Sequence, residues 1–256
     1  MSINYIPLDK EKHKDIKVQV RHNFEFAKDT HLAAASFREY PQLASCMPLV
    51  FIKAPDGDQV HSVAILGVEP GKNLFHHDGK WQGHAVPLNI QRYPFDVRPD
   101  GDKLGVFLDE NSELLGEDGE PLFTEEGTAS PFLENRQRLL TDLTNSEMAT
   151  QRFIKKITEL NLLDPIQLTV TYASGQQRNV KGMLSINEKR LNELDDATVL
   201  ELQKAGFLGG IYAMLLSLGQ LNRLVQLSTN TDAPIRAMQL RVDEEKAEAP
   251  EAATAE

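Results

Sequence analysis

The chain reads as an α+β protein, with an antiparallel, β-meander-rich N-terminal half packed with a helix-rich C-terminal half. Three observations predict this. Four Asp-Gly pairs punctuate the first half about twenty residues apart, at Asp56-Gly57, Asp78-Gly79, Asp100-Gly101 and Asp118-Gly119. Asp-Gly between extended runs is a strong hairpin signal, because both residues accept positive φ. After Thr128 the apolar residues change to helical spacing, with Leu139, Leu140 and Leu143 followed by Phe153, Ile154, Ile157 and Leu160. An uncharged run over 206–222 then reads as a buried helix.

Residues 16–20 and 24–27 alternate apolar and polar, the period of a half-buried strand. Residues 36–44 suggest a short helix, with Ser36 as N-cap and Glu39 completing a capping box, although Pro41 sits badly inside it. Leu49–Lys53 and 60–68 are strands joined through Asp56-Gly57. Residues 73–77 pair across Asp78-Gly79 with the stretch opening at Trp81, and 104–109 is a further strand. Ser130-Pro131 supplies an N-cap and a proline at the first helical position. Two helices follow, 131–143 and 148–160, closed by Asn161 and Pro165. Residues 166–172 form a strand that Ser174-Gly175 turns onto 179–184. Helices 196–205 and 208–227 are broken by Gly206. Gly209 and Gly210 are read as allowing close helix packing, in preference to an anion site on free N–H groups.

The expected organisation is a β-rich region over 1–128 and a helix-rich region with a β-hairpin over 129–242, packed as one body. Residues 110–128 are a linker or a loop. Residues 243–256 are rich in acid, Pro and Ala, the composition of a disordered tail.

Net charge is −11, and about half of it sits in that tail. So acidic a chain repels phosphate backbones, which removes nucleic acid from the expected partners. Cys46 is the only cysteine. It permits no intramolecular disulfide and no thiolate cluster, and it is expected to be a buried structural thiol. No run is long and apolar enough for a transmembrane segment, and no signal-peptide pattern opens the chain. The cytoplasm is therefore the default location, with the cell surface reached by non-classical export as the alternative.

The stretch 73–95 holds the only tryptophan, Trp81, and three of the seven histidines, His76, His77 and His84. Tryptophan, tyrosine and arginine offer large area with a polar handle and are enriched in binding hot spots. Trp81, Arg92 and Tyr93, with Asn73, are therefore candidate residues for binding a protein partner or a small molecule. The competing reading packs Trp81 onto the helices and pairs Arg92 with an acid. His76-x-Asp78 opens a 2-His-1-carboxylate iron pattern, but no histidine follows His84 to complete it, so no metal and no cofactor is expected. Asp109 and Glu110 end a strand, where neighbouring residues point to opposite faces, so at most one faces a pocket. The nucleophile elbow, Ser-x-x-Lys, phosphate-binding loop and dinucleotide fingerprint are all absent. No catalytic residue is expected, and the reading leans away from an enzyme.

One resemblance adds to this reading. The order Phe24-x-Phe26-Ala27, Pro48-Leu-Val-Phe51, Asn73-Leu-Phe75 with Gly79-x-Trp81, and Arg92-Tyr-Pro-Phe95 resembles the bacterial SapC-like proteins. The second half agrees through Asp109-Glu110, Gly119-x-Pro121-Leu-Phe123, Phe153, Leu162-Leu163 and the 206–218 helix with Tyr212 and Ser217. The resemblance runs to about Leu227. It implies a link to a bacterial surface layer and to serum resistance, and it is distinct from the similarly named peptide-transporter permease. It carries across no catalytic residues. Asn73, Trp81, Arg92 and Tyr93 match the pattern, whereas His76 and His77 stand where related chains tend to carry aliphatic or acidic residues. The expected function is a non-enzymatic interaction protein; the alternative is a cytosolic small-molecule binder or accessory enzyme with a pocket around Trp81, Arg92, Tyr93 and one of Asp109 or Glu110.

Overall fold

The computed structural model describes residues 3–54, 57 and 59–243. The first half gives β1 (Tyr5–Pro7), β2 (Lys17–Val18), β3 (Leu32–Ala34), the short helix α1 (Tyr40–Leu43), β4 (Leu49–Lys53) and β5 (Val60–Ile65). Next come β6 (His76–His77), β7 (Lys80–Trp81), helix α2 (Leu88–Gln91), β8 (Phe95–Asp100), β9 (Lys103–Asp109), β10 (Leu115–Gly116) and β11 (Glu120–Pro121). The second half holds α3 (Pro131–Glu159), β12 (Leu163–Tyr172), β13 (Gln177–Ile186), α4 (Glu188–Asn192), α5 (Asp196–Lys204), α6 (Phe207–Ser217), α7 (Leu221–Leu227) and β14 (Ile235–Val242). The class is α+β.

The largest sheet runs β14-β12-β13-β4-β5-β3, so strands from both halves of the chain share it. Every pairing in it is antiparallel. A second sheet runs β1-β9-β8 and a third β10-β2-β11. Asp78-Gly79 closes a two-residue hairpin with positive φ at both positions, as the sequence predicts. The hairpin near Asp100-Gly101 turns one residue later, on Gly101 and Asp102. Asp118-Gly119 is different. Its flanks do not pair with each other; both β10 and β11 pair with β2, and a Cβ at Gly119 would run into the Val18 carbonyl. Asp56 of the first pair lies outside the described residues.

Several expectations are corrected. Residues 24–27 form a 3₁₀ turn over Glu25–Ala27 with Phe24 in the left-handed region at φ 52°, in place of a strand. The two helices expected over 131–160 are one helix of 29 residues, α3. Nothing between Leu143 and Met148 breaks it, and Thr141, Thr144 and Thr150 turn their hydroxyls onto carbonyls four residues back. Ser130 caps it through its Oγ, which accepts the Leu133 N–H at 3.2 Å. Asn161 ends it at φ 51°, with Leu162 N–H bonded to Ile157 O and Asn161 N–H to Thr158 O. Pro165, in contrast, lies inside β12. The Ser36–Glu39 capping box is present, with Glu39 Oε2 accepting the Ser36 N–H at 3.0 Å, and a 3₁₀ turn there leaves Pro41 at the start of α1. Gly206 breaks α5 from α6 at φ 74°, and a further 3₁₀ turn over Leu218–Gln220 separates α6 from α7. Asp243, the residue after β14, is buried with its N–H bonded to Pro165 O, and is not yet tail; 244–256 lie outside the described residues.

Two apolar cores result. The larger holds Phe51, Leu66, Phe75, Phe153, Ile157, Val170 and Met214. The smaller holds Val18, Phe95, Leu108, Leu114, Leu122, Leu133 and Leu140. Helix α3 gives its first half to the small core and its second half to the large one, and Phe26 packs against both. Cys46 is buried, and burial pushes its thiol pKa up. No single helix among the described residues is long and apolar enough to cross a membrane.

Candidate functional site

The turn over residues 24–28 is the pivot of the site. Buried Asn73 fastens it: its Nδ2 donates to Ala27 O at 2.8 Å, its N–H to Lys28 O at 3.0 Å, and its Oδ1 accepts the Phe75 N–H at 2.9 Å. Every polar atom of that side chain is thus committed to the backbone. Trp81 is committed as well. Its Nε1 donates to Ala85 O at 2.9 Å and its ring stacks on Phe75, with centroids 5.7 Å apart. From Trp81 a ladder of rings continues to Phe24 at 5.7 Å, from Phe24 to Phe26 at 6.2 Å, and from Phe26 to Tyr93 at 4.5 Å. The left-handed backbone at Phe24 is a strained conformation for a bulky residue, and it sits where the ladder passes from one core toward the other.

Tyr93 ends the ladder at a carboxylate. Its hydroxyl donates to Asp109 Oδ2 at 2.9 Å. Burial pushes its phenol pKa up to about 12, and Asp109 adds to the shift. Asp109 Oδ1 accepts the Asn4 N–H at 2.8 Å and the Asn111 N–H at 3.2 Å. Glu110 faces elsewhere and holds the N-terminal arm: Asn4 Nδ2 donates to it at 2.5 Å and Lys12 Nζ stands 3.2 Å away. Arg92 pairs with Asp96, whose other oxygen takes Arg98 Nε at 3.0 Å. Arg98 in turn lies 4.3 Å over the Tyr5 ring. Burial lowers the Arg92 pKa, and its Nε is buried without a hydrogen-bond partner among the described residues.

Arg92, Tyr93 and Asp109 therefore converge on a cleft of about 650 Å³, floored by Phe26 and Ile90 and walled by Ile3 and Tyr5 of the arm. Trp81 and Asn73 do not line it; they support the turn that does. Glu110 is outside it too. Tyr5 and Phe26 line the cleft, while Asn4, Asp96 and Arg98 hold its Asp109, Arg92 and Tyr5 from behind; none of these five was picked out as a site residue from the sequence. Only the Phe24-x-Phe26 pair carried a signal that could have found any of them.

The histidines serve locally. His76 Nε2 stands 3.1 Å from Glu25, His77 Nε2 is 3.3 Å from Asp78, and His84 Nε2 meets Ser45 Oγ at 2.7 Å. Among the described residues no group of three or more His, Cys, Asp or Glu is placed to hold a metal ion.

The cleft has neighbours. Asn89 and Arg92 separate it from an apolar groove of about 350 Å³ bounded by Leu104 and Met148. Lys28 and Asp29 separate it from a cleft of about 330 Å³ beside Glu69 and Tyr172. There the Tyr172 hydroxyl donates to Glu69 at 2.5 Å, and Lys72 Nζ is 2.7 Å from the other Glu69 oxygen.

Compared with known proteins, residues 8–224 match the family model described as SapC. No curated protein and no solved structure matches the chain.

Proposed function

The chain belongs to the SapC family, and from that premise we propose that it is a non-enzymatic interaction protein that takes an extended segment of a partner polypeptide into the cleft of Arg92, Tyr93 and Asp109. The observation that carries this reading is the shared walls of three successive clefts. Asn89 and Arg92 serve two of them, and Lys28 and Asp29 serve the next two. A track of this kind suits a chain more than a compact metabolite. Its lining supplies amides and charges of both signs, the groups that meet peptide backbones and polar side chains, with exposed Ile3, Leu104 and Met148 for apolar ones. Its aromatic rings are buried or half-buried, with Phe26 and Tyr93 stacked on each other and Arg98 over Tyr5, and do not offer the open platforms on which sugars stack.

The chemistry of the acid supports recognition over proton transfer. Asp109 accepts three hydrogen bonds from groups fixed by the fold, and Tyr93 holds its proton to about pH 12. The surface-layer link implied by the family resemblance is part of this proposal and has its own test. Protease added to intact native cells degrades a surface protein while sparing a cytosolic marker; full protection contradicts that link.

The binding reading is tested by Asn89→Trp. This side chain is partly exposed on the wall common to two clefts, so the larger ring fills the track while leaving the Arg92–Asp96 pair in place. The expected result is loss of a partner recovered with the wild type from native cells, with the melting temperature changed by less than about 2 °C. Undiminished recovery by this variant contradicts the reading.

A further inference from the structure

The turn that follows the arm is closed by a histidine that is buried and titratable. His13 is 1% exposed. Its Nδ1 accepts the Asp9 N–H at 2.9 Å, which places its single proton on Nε2. That Nε2 is buried with no hydrogen-bond partner among the described residues. The same turn is closed by the backbone, His13 N–H to Asp9 O at 3.0 Å, and by Asp9 Oδ1, which accepts the N–H groups of Glu11 and Lys12 at 2.8 Å each. From this turn the arm reaches the cleft. Tyr5, Ile6 and Pro7 pair with Asp109, Leu108 and Phe107, Leu8 N–H bonds Val106 O, and Lys12 holds Glu110.

We infer that His13 is a pH-sensitive latch: neutral, it closes the Asp9–His13 turn from which Leu8 and Lys12 reach Val106 and Glu110; protonated, it opens that turn, loosens those two ties and so frees the arm that carries the Ile3 and Tyr5 wall of the cleft. The step is one proton added to Nδ1. The lone pair that accepted the Asp9 N–H then carries hydrogen, so two donors face each other and the contact is lost. A cation would also stand in a buried site whose second nitrogen is already unpaired. The charged groups acting on the ring are Asp9 and Lys12 on the arm and Glu110 at the end of β9. Burial has the largest effect and lowers the pKa, Lys12 lowers it further, and Asp9 and Glu110 oppose them. This regulation draws its purpose from the binding reading, but its test needs no partner and so fails or succeeds separately.

The experiment is amide hydrogen exchange on the full chain, corrected for intrinsic rates, with His13→Gln beside the wild type. The Gln Oε1 can accept the Asp9 N–H and does not titrate. Between about pH 7.5 and about pH 4.5, protection of the Leu8 and His13-turn amides in the wild type is expected to fall by about tenfold or more, while Val170 in the large sheet keeps its protection. In His13→Gln the arm stays protected throughout. Equal loss in both proteins overturns the latch, as does loss of Val170 protection together with the arm, which is global unfolding. Should the variant fail to fold, the wild-type imidazole NMR titration decides: a His13 pKa at or above about 6.5 overturns the proposal, and one below it agrees.

Discussion

Tyr93 combines a stack on Phe26 with a hydrogen bond to Asp109, and the two contributions can be separated. Tyr93→Phe keeps the ring and removes the hydroxyl, so it is expected to cost about 1.5 kcal/mol, the lower range for a bond to a charged group. Urea denaturation measures this, and a loss below about 0.3 kcal/mol contradicts the assignment. The same phenol predicts an alkaline effect. Its folded pKa, about 12, lies above the unfolded value near 10, so its contribution is intact below about pH 10 and is lost as pH rises through 12. The wild type therefore loses more stability than Tyr93→Phe across that window. His13 acts at the other end. Its folded pKa is lowered by burial, so the unfolded chain binds the proton more readily. Its contribution is present above about pH 6.5 and is lost as pH falls through the lower folded value, a slope that His13→Gln removes.

At the scale of elements, the two glycines opening α6 make opposite predictions. A Cβ at Gly210 would run into the Phe37 ring, inside the cluster of Phe37, Tyr40, Phe153 and Phe207, whereas one at Gly209 would meet nothing within 4 Å. Gly210→Ala is expected to cost about 1–3 kcal/mol by overpacking, and Gly209→Ala to gain about 0.5–1 kcal/mol from helix propensity. Thermal denaturation of the pair checks the sign of each. The sequence reading of close packing thus holds for one glycine and not for the other, because neighbours across space decide it. Legibility follows the same rule. Ser130-Pro131, Ser36–Glu39, Asp78-Gly79 and the Gly206 break were readable because their signals are local and stereochemical. The single helix α3 was missed because polar Thr144–Glu147 looked like a boundary although nothing there prevents helix. The strand β14 was missed because Arg236 and Arg241 interrupt its apolar pattern at a sheet edge. Phe24 is set by a left-handed turn that alternation cannot reveal.

Over the whole molecule, α3 and Phe26 connect two cores, and the candidate site lies where they meet. The sequence placed Arg92, Tyr93 and Asp109 among its candidates by residue type, and the fold brings those three together. Trp81 and Asn73 were chosen by the same logic and instead brace the turn beneath the cleft, since a residue's chemistry does not say whether its polar atoms are already engaged. The partner contribution of the arm was unreadable, because β1 is three residues long and its pairing with β9 spans a hundred positions of chain. We propose that this cleft receives a protein partner. The most direct test is a photo-crosslinking amino acid placed at Asn89 on the cleft wall or, as a control, at Leu200 on exposed α5, followed by irradiation of native cells. One discrete crosslinked species is expected from position 89 and none of that size from position 200. No crosslink at 89, or the same species from both positions, would contradict it.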